Sequence, residues 1–196
     1  MGRGAFERIL VAAAALAAVA AAVLFLRAPD PEAGAPGRGG YALTATDGST
    51  FTEASLEGHP SAVFFGFTHC PDICPTTLGE IGTWREELGA EARDLRFWFV
   101  TVDPERDSVD GLRDYLSWSP GVTGAGGTRA EVDEALAAFR VYARKVPLSD
   151  GGYTMDHSSF VMLFDRDGRF VRNIGYREET GSAVAKLRAL IGAGAG

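Results

Sequence analysis

The chain has two cysteines, and both lie in one short stretch, Phe67–Pro75, FTHCPDICP. Three residues separate Cys70 from Cys74, and a proline follows each. Such a pair can close a structural disulfide, cycle as a redox couple, or supply part of a soft metal site. A disulfide needs sulfurs about 2.05 Å apart, whereas one ion with bonds of about 2.3 Å accepts sulfurs up to roughly 4.6 Å apart. A five-residue loop serves either state, so the pair leaves all three open. A metal would need a further donor: two thiolates suit Cu(I) or zinc, zinc taking four ligands and Cu(I) two or three. The chain offers three histidines. His59 sits in a Gly-His-Pro turn and reads as a surface residue. His69 adjoins Cys70, but adjacent side chains at the end of a strand point opposite ways. His157, in YTMDHSSFVMLFD, stands just before an apolar run over Ser159–Phe164. Met155 and Met162 are soft donors too; Met162 fits core packing.

The elements that must hold these groups are readable from periodicity. SAVFFGF, residues 61–67, is a buried strand running directly into the cysteines. After Pro75 the apolar positions Leu78, Ile81, Trp84 and Leu88 follow a helical spacing, with Gly89 at the stop. Pro75 suits the first helical position, where its missing N–H would be unpaired anyway. That puts Cys74 at or beside the N-cap, where the helix dipole favours thiolate. LRFWFVTV, residues 95–102, is a second buried strand, and Phe64, Phe65, Phe97 and Phe99 are core. Ser108 caps a helix running to Trp118, and Thr128 with Glu131 forms a capping box for another through Phe139. SPGVTGAGG, residues 119–127, reads as a loop. SFVMLFD and RFVRNIG form a hairpin about Arg166-Asp167-Gly168, and Thr180–Ile191 is a final amphipathic helix. Ahead of all this, YALTATDGSTFTEASL folds as a small hairpin turning at Asp47-Gly48.

Short buried strands alternating with helices predict an α/β fold: a thioredoxin-like mixed sheet flanked by helices, with an N-terminal β-hairpin and a membrane-anchor helix. In such a sheet the start of the strand after His157 lies beside the cysteine loop. Thioredoxins place a cis-proline there and separate their cysteines by two residues. Here the nearest upstream proline is Pro147, the spacing is three, and a histidine occupies the position. This shifts the balance from redox chemistry towards metal.

The segment Ile9–Leu26 carries neither charge nor proline. As a helix it would be about 27 Å long, near a bilayer's hydrocarbon thickness. It reads as a retained anchor or, with small residues such as Ala20 and Ala22, as a cleavable signal. The expected organisation is residues 1–27 anchor or signal, 28–40 a Pro/Gly-rich flexible linker, 41–192 the folded domain and 193–196 a flexible tail. The positive charges flanking the segment are tied, with Arg3 and Arg8 before it and Arg27 and Arg38 after it; export of the long C-terminal part places the domain outside the cytoplasm, where disulfides persist. The net charge is −7, with 26 acidic and 19 basic side chains and no basic block. Nucleic acid is therefore not an expected partner.

FFGFTHCPDICPTTL, VTVDPERD, VPLSDGGYTMDHSSFVMLFDRDGRFV and the N-terminal apolar segment together resemble the Sco/SenC proteins, over about Tyr41–Ile191. The resemblance implies a membrane-tethered, thioredoxin-like metallochaperone, rather than an enzyme, that helps assemble the binuclear CuA centre of cytochrome c oxidase. It implies copper, as Cu(I) and also Cu(II), held by Cys70, Cys74 and His157. Asp103 matches the family's VDP segment, and Asp156 adjoins the ligand histidine and is a candidate oxygen donor to Cu(II). The implied partners are the copper-bearing oxidase subunit and a second copper chaperone as donor; the implied location is a bacterial inner membrane, single-pass, with the domain on the periplasmic side. The alternative is a thiol–disulfide oxidoreductase in which Cys70 attacks and Cys74 resolves, keeping the oxidase's copper-ligand cysteines reduced. The chain departs from the family in the Gly-rich SPGVTGAGG, where relatives carry a more ordered apolar segment.

Overall fold

The structure, a computed structural model, describes residues 34–149 and 151–193. The apolar N-terminal segment and residues 194–196 lie outside the described residues. Residues 34–40, in the stretch whose composition suggests a tether, lie against the domain. Gly37 N–H donates to the Ala138 carbonyl at 3.0 Å, and Arg38 pairs with Glu53 at 2.8 Å.

A seven-stranded mixed sheet forms the centre. In chain order its strands are β1 (Ala42–Ala45), β2 (Thr50–Thr52), β3 (Ser61–Gly66), β4 (Arg96–Thr101), β5 (Val122–Gly126), β8 (Val161–Phe164) and β9 (Phe170–Ile174). In space they run β2-β1-β5-β4-β3-β8-β9. β3, β4 and β5 are mutually parallel, while β1 and β8 flank them antiparallel. The mixed sheet flanked by helices read from the sequence therefore forms, N-terminal hairpin included, with Gly48 at φ 87° in its turn; the expected anchor helix lies outside the described residues.

The helices are α1 (Ile73–Leu88), α2 (Val109–Tyr115), α3 (Arg129–Phe139) and α4 (Thr180–Gly192). Ser108 caps α2 by accepting from the Gly111 N–H, and Thr128 with Glu131 closes the capping box of α3. α1 packs beside α4, and α2 on β5. Successive strand residues serve opposite faces. Phe64 and Phe99 form an edge contact on one face, 5.8 Å between centroids. On the other, Phe65, Tyr41, Phe51 and Phe164 surround Phe139 of α3.

Two readings are corrected, and one element is new. Residues 119–127 are not all loop: Val122–Gly126 is an inner strand of the sheet, bonded to β4 and β1. Its glycines are the reason it is there. A Cβ on Gly124 would lie 2.8 Å from Thr46 Cγ2, 2.9 Å from Leu116 Cδ1 and 3.4 Å from Leu112 Cβ, so a glycine at this position lets α2 and the turn after it approach closely. Next, α1 begins at Ile73 with Asp72 flanking it, and Cys74 and Pro75 are both in its first turn. Finally, a second two-stranded sheet, β6 (Ala143–Pro147) with β7 (Tyr153–His157), precedes β8. His157 is the last residue of β7.

Candidate metal centre

β3 delivers the chain to the cysteines at the C-terminal edge of the parallel strands. Gly66 ends that strand, and its lack of a side chain matters. A Cβ there would sit 2.8 Å from Cys74 Sγ and 2.7 Å from a Phe99 ring carbon, closer than non-bonded atoms settle. Cys74 thus occupies the space a side chain at 66 would fill and is fully buried, while Cys70 is partly exposed on the loop. The Cys74 N–H donates to Cys70 Sγ at 3.3 Å, the bond expected of an acceptor placed before a helical first turn.

The cysteine loop is tied down from below by Asp107, itself buried. Its carboxylate accepts from the Thr68 N–H at 3.1 Å, the Thr68 hydroxyl at 2.6 Å and the Thr101 hydroxyl at 2.7 Å. A buried carboxylate is tolerable when its lone pairs are so occupied.

His157 comes from the β6–β7 arm. Its Nε2 lies 3.8 Å from Cys74 Sγ, and its Nδ1 is 2.8 Å from the Ser158 carbonyl. A carbonyl only accepts, so Nδ1 carries the proton and donates, and Nε2 keeps a free lone pair facing the sulfurs. Phe67 holds the imidazole edge-on, with ring centroids 5.7 Å apart at 89°. Donor atoms of Cys70, Cys74 and His157 all lie within 4.8 Å of one another. Two thiols and one imidazole nitrogen form a soft donor set of the kind that suits Cu(I) or zinc.

Both cysteines are free thiols, and they are not equivalent. The Cys70 thiol is pushed from its ordinary 9.0 down to about 4, chiefly by the hydrogen bond from the Cys74 thiol, with help from the Cys74 and Asp72 backbone and against the opposing effect of burial. Cys74 is pushed up, by the same hydrogen bond and by burial. The two sulfurs share one proton, held on the buried one; they titrate as a pair.

The other sequence candidates fall outside the cluster. His69 is exposed, with Nδ1 2.9 Å from the Thr68 hydroxyl. His59 faces Asp94 at 3.4 Å on the surface. Asp156 is exposed and brings no oxygen into the cluster. Met155 is buried and lines the shallow cavity beside Cys70 and His157; Met162 is core.

Asp103 is fully buried and anchors an arrangement that the sequence did not disclose. It pairs with Arg106 Nε at 2.5 Å and accepts from the Tyr153 hydroxyl at 2.9 Å. Arg106 Nη1 donates to the Tyr153 carbonyl at 3.0 Å. Arg106 and Asp107 both lie in VDPERD, so the motif was visible, but only the pairing with a tyrosine at the foot of β7 gives it a role.

A family model described as SCO1/SenC matches residues 29–192. The chain is 41% identical over 155 residues to the mitochondrial protein SCO1 of Saccharomyces cerevisiae, covering 76% of this chain and 52% of that one. It thus spans about half the length of the curated relatives it first matches. Among solved structures, Bradyrhizobium japonicum ScoI with copper bound superposes with a TM-score of 0.71 at 42% identity, covering 78% of this chain and 98% of that one. Arabidopsis thaliana ScoI with copper bound gives 0.73 at 31%, covering 79% and 98%. A match across most of the sequence, relatives above 30% identity and a shared fold agree: the chain belongs to the SCO1/SenC family.

Proposed function

We propose that this protein is a copper metallochaperone that carries one copper ion on Cys70, Cys74 and His157 and helps assemble the CuA centre of cytochrome c oxidase. The observation that carries the reading is the convergence of two sulfurs and one imidazole nitrogen within 4.8 Å. Support comes from relatives described with copper bound at 42% and 31% identity. Copper is cargo here. The partly exposed Cys70 gives an incoming thiolate a point of entry, so the ion can pass to a partner by ligand exchange. His157 ligates only when neutral, so acid weakens the site.

The organisation proposed with this function is an N-terminal anchor or signal over residues 1–27, a tether over 28–40 whose last residues, 34–40, lie against the domain, a copper-binding domain over 41–192 and a short tail. The domain would then face the periplasm from a bacterial inner membrane, its partners being the copper-bearing oxidase subunit and a second chaperone as donor. Anaerobic Cu(I) titration of the reduced full chain tests the site against His157→Ala and a Cys70→Ser/Cys74→Ser variant. One equivalent bound by the parent with a large loss of affinity in both variants supports it; stoichiometric binding indifferent to His157 refutes the three-residue site.

A second reading rests on the asymmetry of the cysteines. An ionised, partly exposed Cys70 beside a protonated, buried Cys74 is the arrangement of an attacking and a resolving thiol. In this reading Cys70 attacks a disulfide of the oxidase subunit, releasing one partner thiolate. Cys74 then displaces the second, leaving a Cys70–Cys74 disulfide and a reduced partner. Both roles use the same pair, but only the copper role needs His157.

A further inference from the structure

The opposite end of the parallel strands carries a second charged feature. β4 starts at Arg96 and ends at Thr101, so Arg96 lies roughly 17 Å along the strand from the edge that bears the cysteines. Arg96, Arg93 and Arg85 line one cavity of about 590 Å³ there. In a chain of net charge −7, most arginines of the domain are engaged by carboxylates, carbonyls or rings. These three make no ion pair or side-chain hydrogen bond among the described residues. The one carboxylate in the lining, Asp47, accepts from the Ser49 N–H at 2.9 Å and hydroxyl at 2.7 Å, and is held below its ordinary pKa chiefly by those bonds, with a smaller contribution from the charge of Arg96.

Arg93 and Arg96 are exposed at the cavity and Arg85 is half-buried. Arg85 is confined: a Cβ on Gly121 would lie 2.3 Å from its guanidinium carbon, so the glycine leaves room for the guanidinium at the cavity wall. Three guanidinium groups around one concavity attract anions.

We propose that this cavity is a binding site for a phosphate-class oxyanion, distinct from the metal centre. Three guanidinium groups against one carboxylate leave a net charge of about two to be balanced. A phosphate monoester or inorganic phosphate carries that charge near neutral pH, and guanidinium forks match its oxygens. The same chemistry is offered by a free phosphate ion and by the headgroup of a phospholipid.

The test uses the full chain in a non-ionic detergent at fixed ionic strength, titrated separately with inorganic phosphate and with glycerol phosphate, following Trp fluorescence and the unfolding midpoint. Saturable binding of at least one, with its dissociation constant raised tenfold or more in Arg93→Gln/Arg96→Gln, is expected. Cu(I) binding by that variant should equal the parent's, which shows the fold intact. Tighter binding of glycerol phosphate assigns the headgroup as the source, and tighter binding of inorganic phosphate assigns the free ion. A response no different from matched chloride, or one unchanged in the double variant, overturns the proposal.

Discussion

The Arg106 guanidinium lies 3.8 Å from the centroid of the Tyr153 ring and 5.8 Å from that of Phe67. Tyr153 opens the strand that ends in His157, and Phe67 leads into the loop that carries Cys70. One cation therefore clamps the two segments that carry the proposed metal donors, while buried Asp103 balances its charge. Arg106→Met removes the clamp and strands Asp103. The expected cost is about 3 kcal/mol of stability, the scale for breaking a buried ion pair, read from urea midpoints. Cu(I) affinity should fall on the order of tenfold, the low end for groups that orient a metal ligand, and hydrogen exchange should accelerate at residues 153–157. Arg106→Lys should recover part of the affinity; a variant that loses stability while keeping parental affinity and exchange would assign Arg106 a structural role only.

The cysteine pair predicts a pH-dependent reactivity. Cys70 stays ionised down to about pH 4, so its alkylation by iodoacetamide in the metal-free reduced protein should remain fast at pH 5, where an ordinary thiol is nearly inert. Cys74, raised and buried, should label only on unfolding. The sign for stability follows. Cys70 has a lower pKa folded than unfolded, so its contribution is complete above the ordinary thiol pKa and is lost as pH falls through about 4. Cys74 has the opposite shift and subtracts stability only above the ordinary thiol pKa. Equal labelling of both cysteines across pH 4–8 would contradict the shared-proton arrangement.

Gly66→Ala places a methyl carbon against Cys74 Sγ and Phe99. Neither neighbour is a free end: one is a buried thiol in a helical first turn, the other a core ring. The expected outcome is a loss of about 1–3 kcal/mol, as for overpacked cores, with weaker Cu(I) binding because Cys74 must shift. Calorimetric unfolding and a Cu(I) competition assay measure the two effects.

Much of this architecture is legible before folding. Residues 61–67 and 95–102 are apolar runs of strand length, and Ser108 and Thr128 are caps whose mechanism is local. The donor set is legible only through the position of His157 relative to a strand that pairs with β3. Other features depend on partners distant in sequence. In Val122–Gly126 only Val122 and Thr123 favour a strand; the two glycines weaken the signal, and the segment is a strand because β4 and β1 pair with it. The β6–β7 arm has no reading from the sequence, because its two short strands pair only with each other and belong to no large sheet. Pro75 points to a start for α1 two residues later than Ile73, because proline is tolerated throughout the first turn, where every N–H is unpaired.

The central claim is that copper is held by two sulfurs and one imidazole nitrogen from distant parts of the chain. X-ray absorption at the copper edge, on the full chain loaded anaerobically with one equivalent of Cu(I), tests it most directly. The account predicts a first shell of two sulfurs and one nitrogen, with imidazole scattering that disappears in His157→Ala. A shell of sulfur alone, identical in parent and variant, would contradict it.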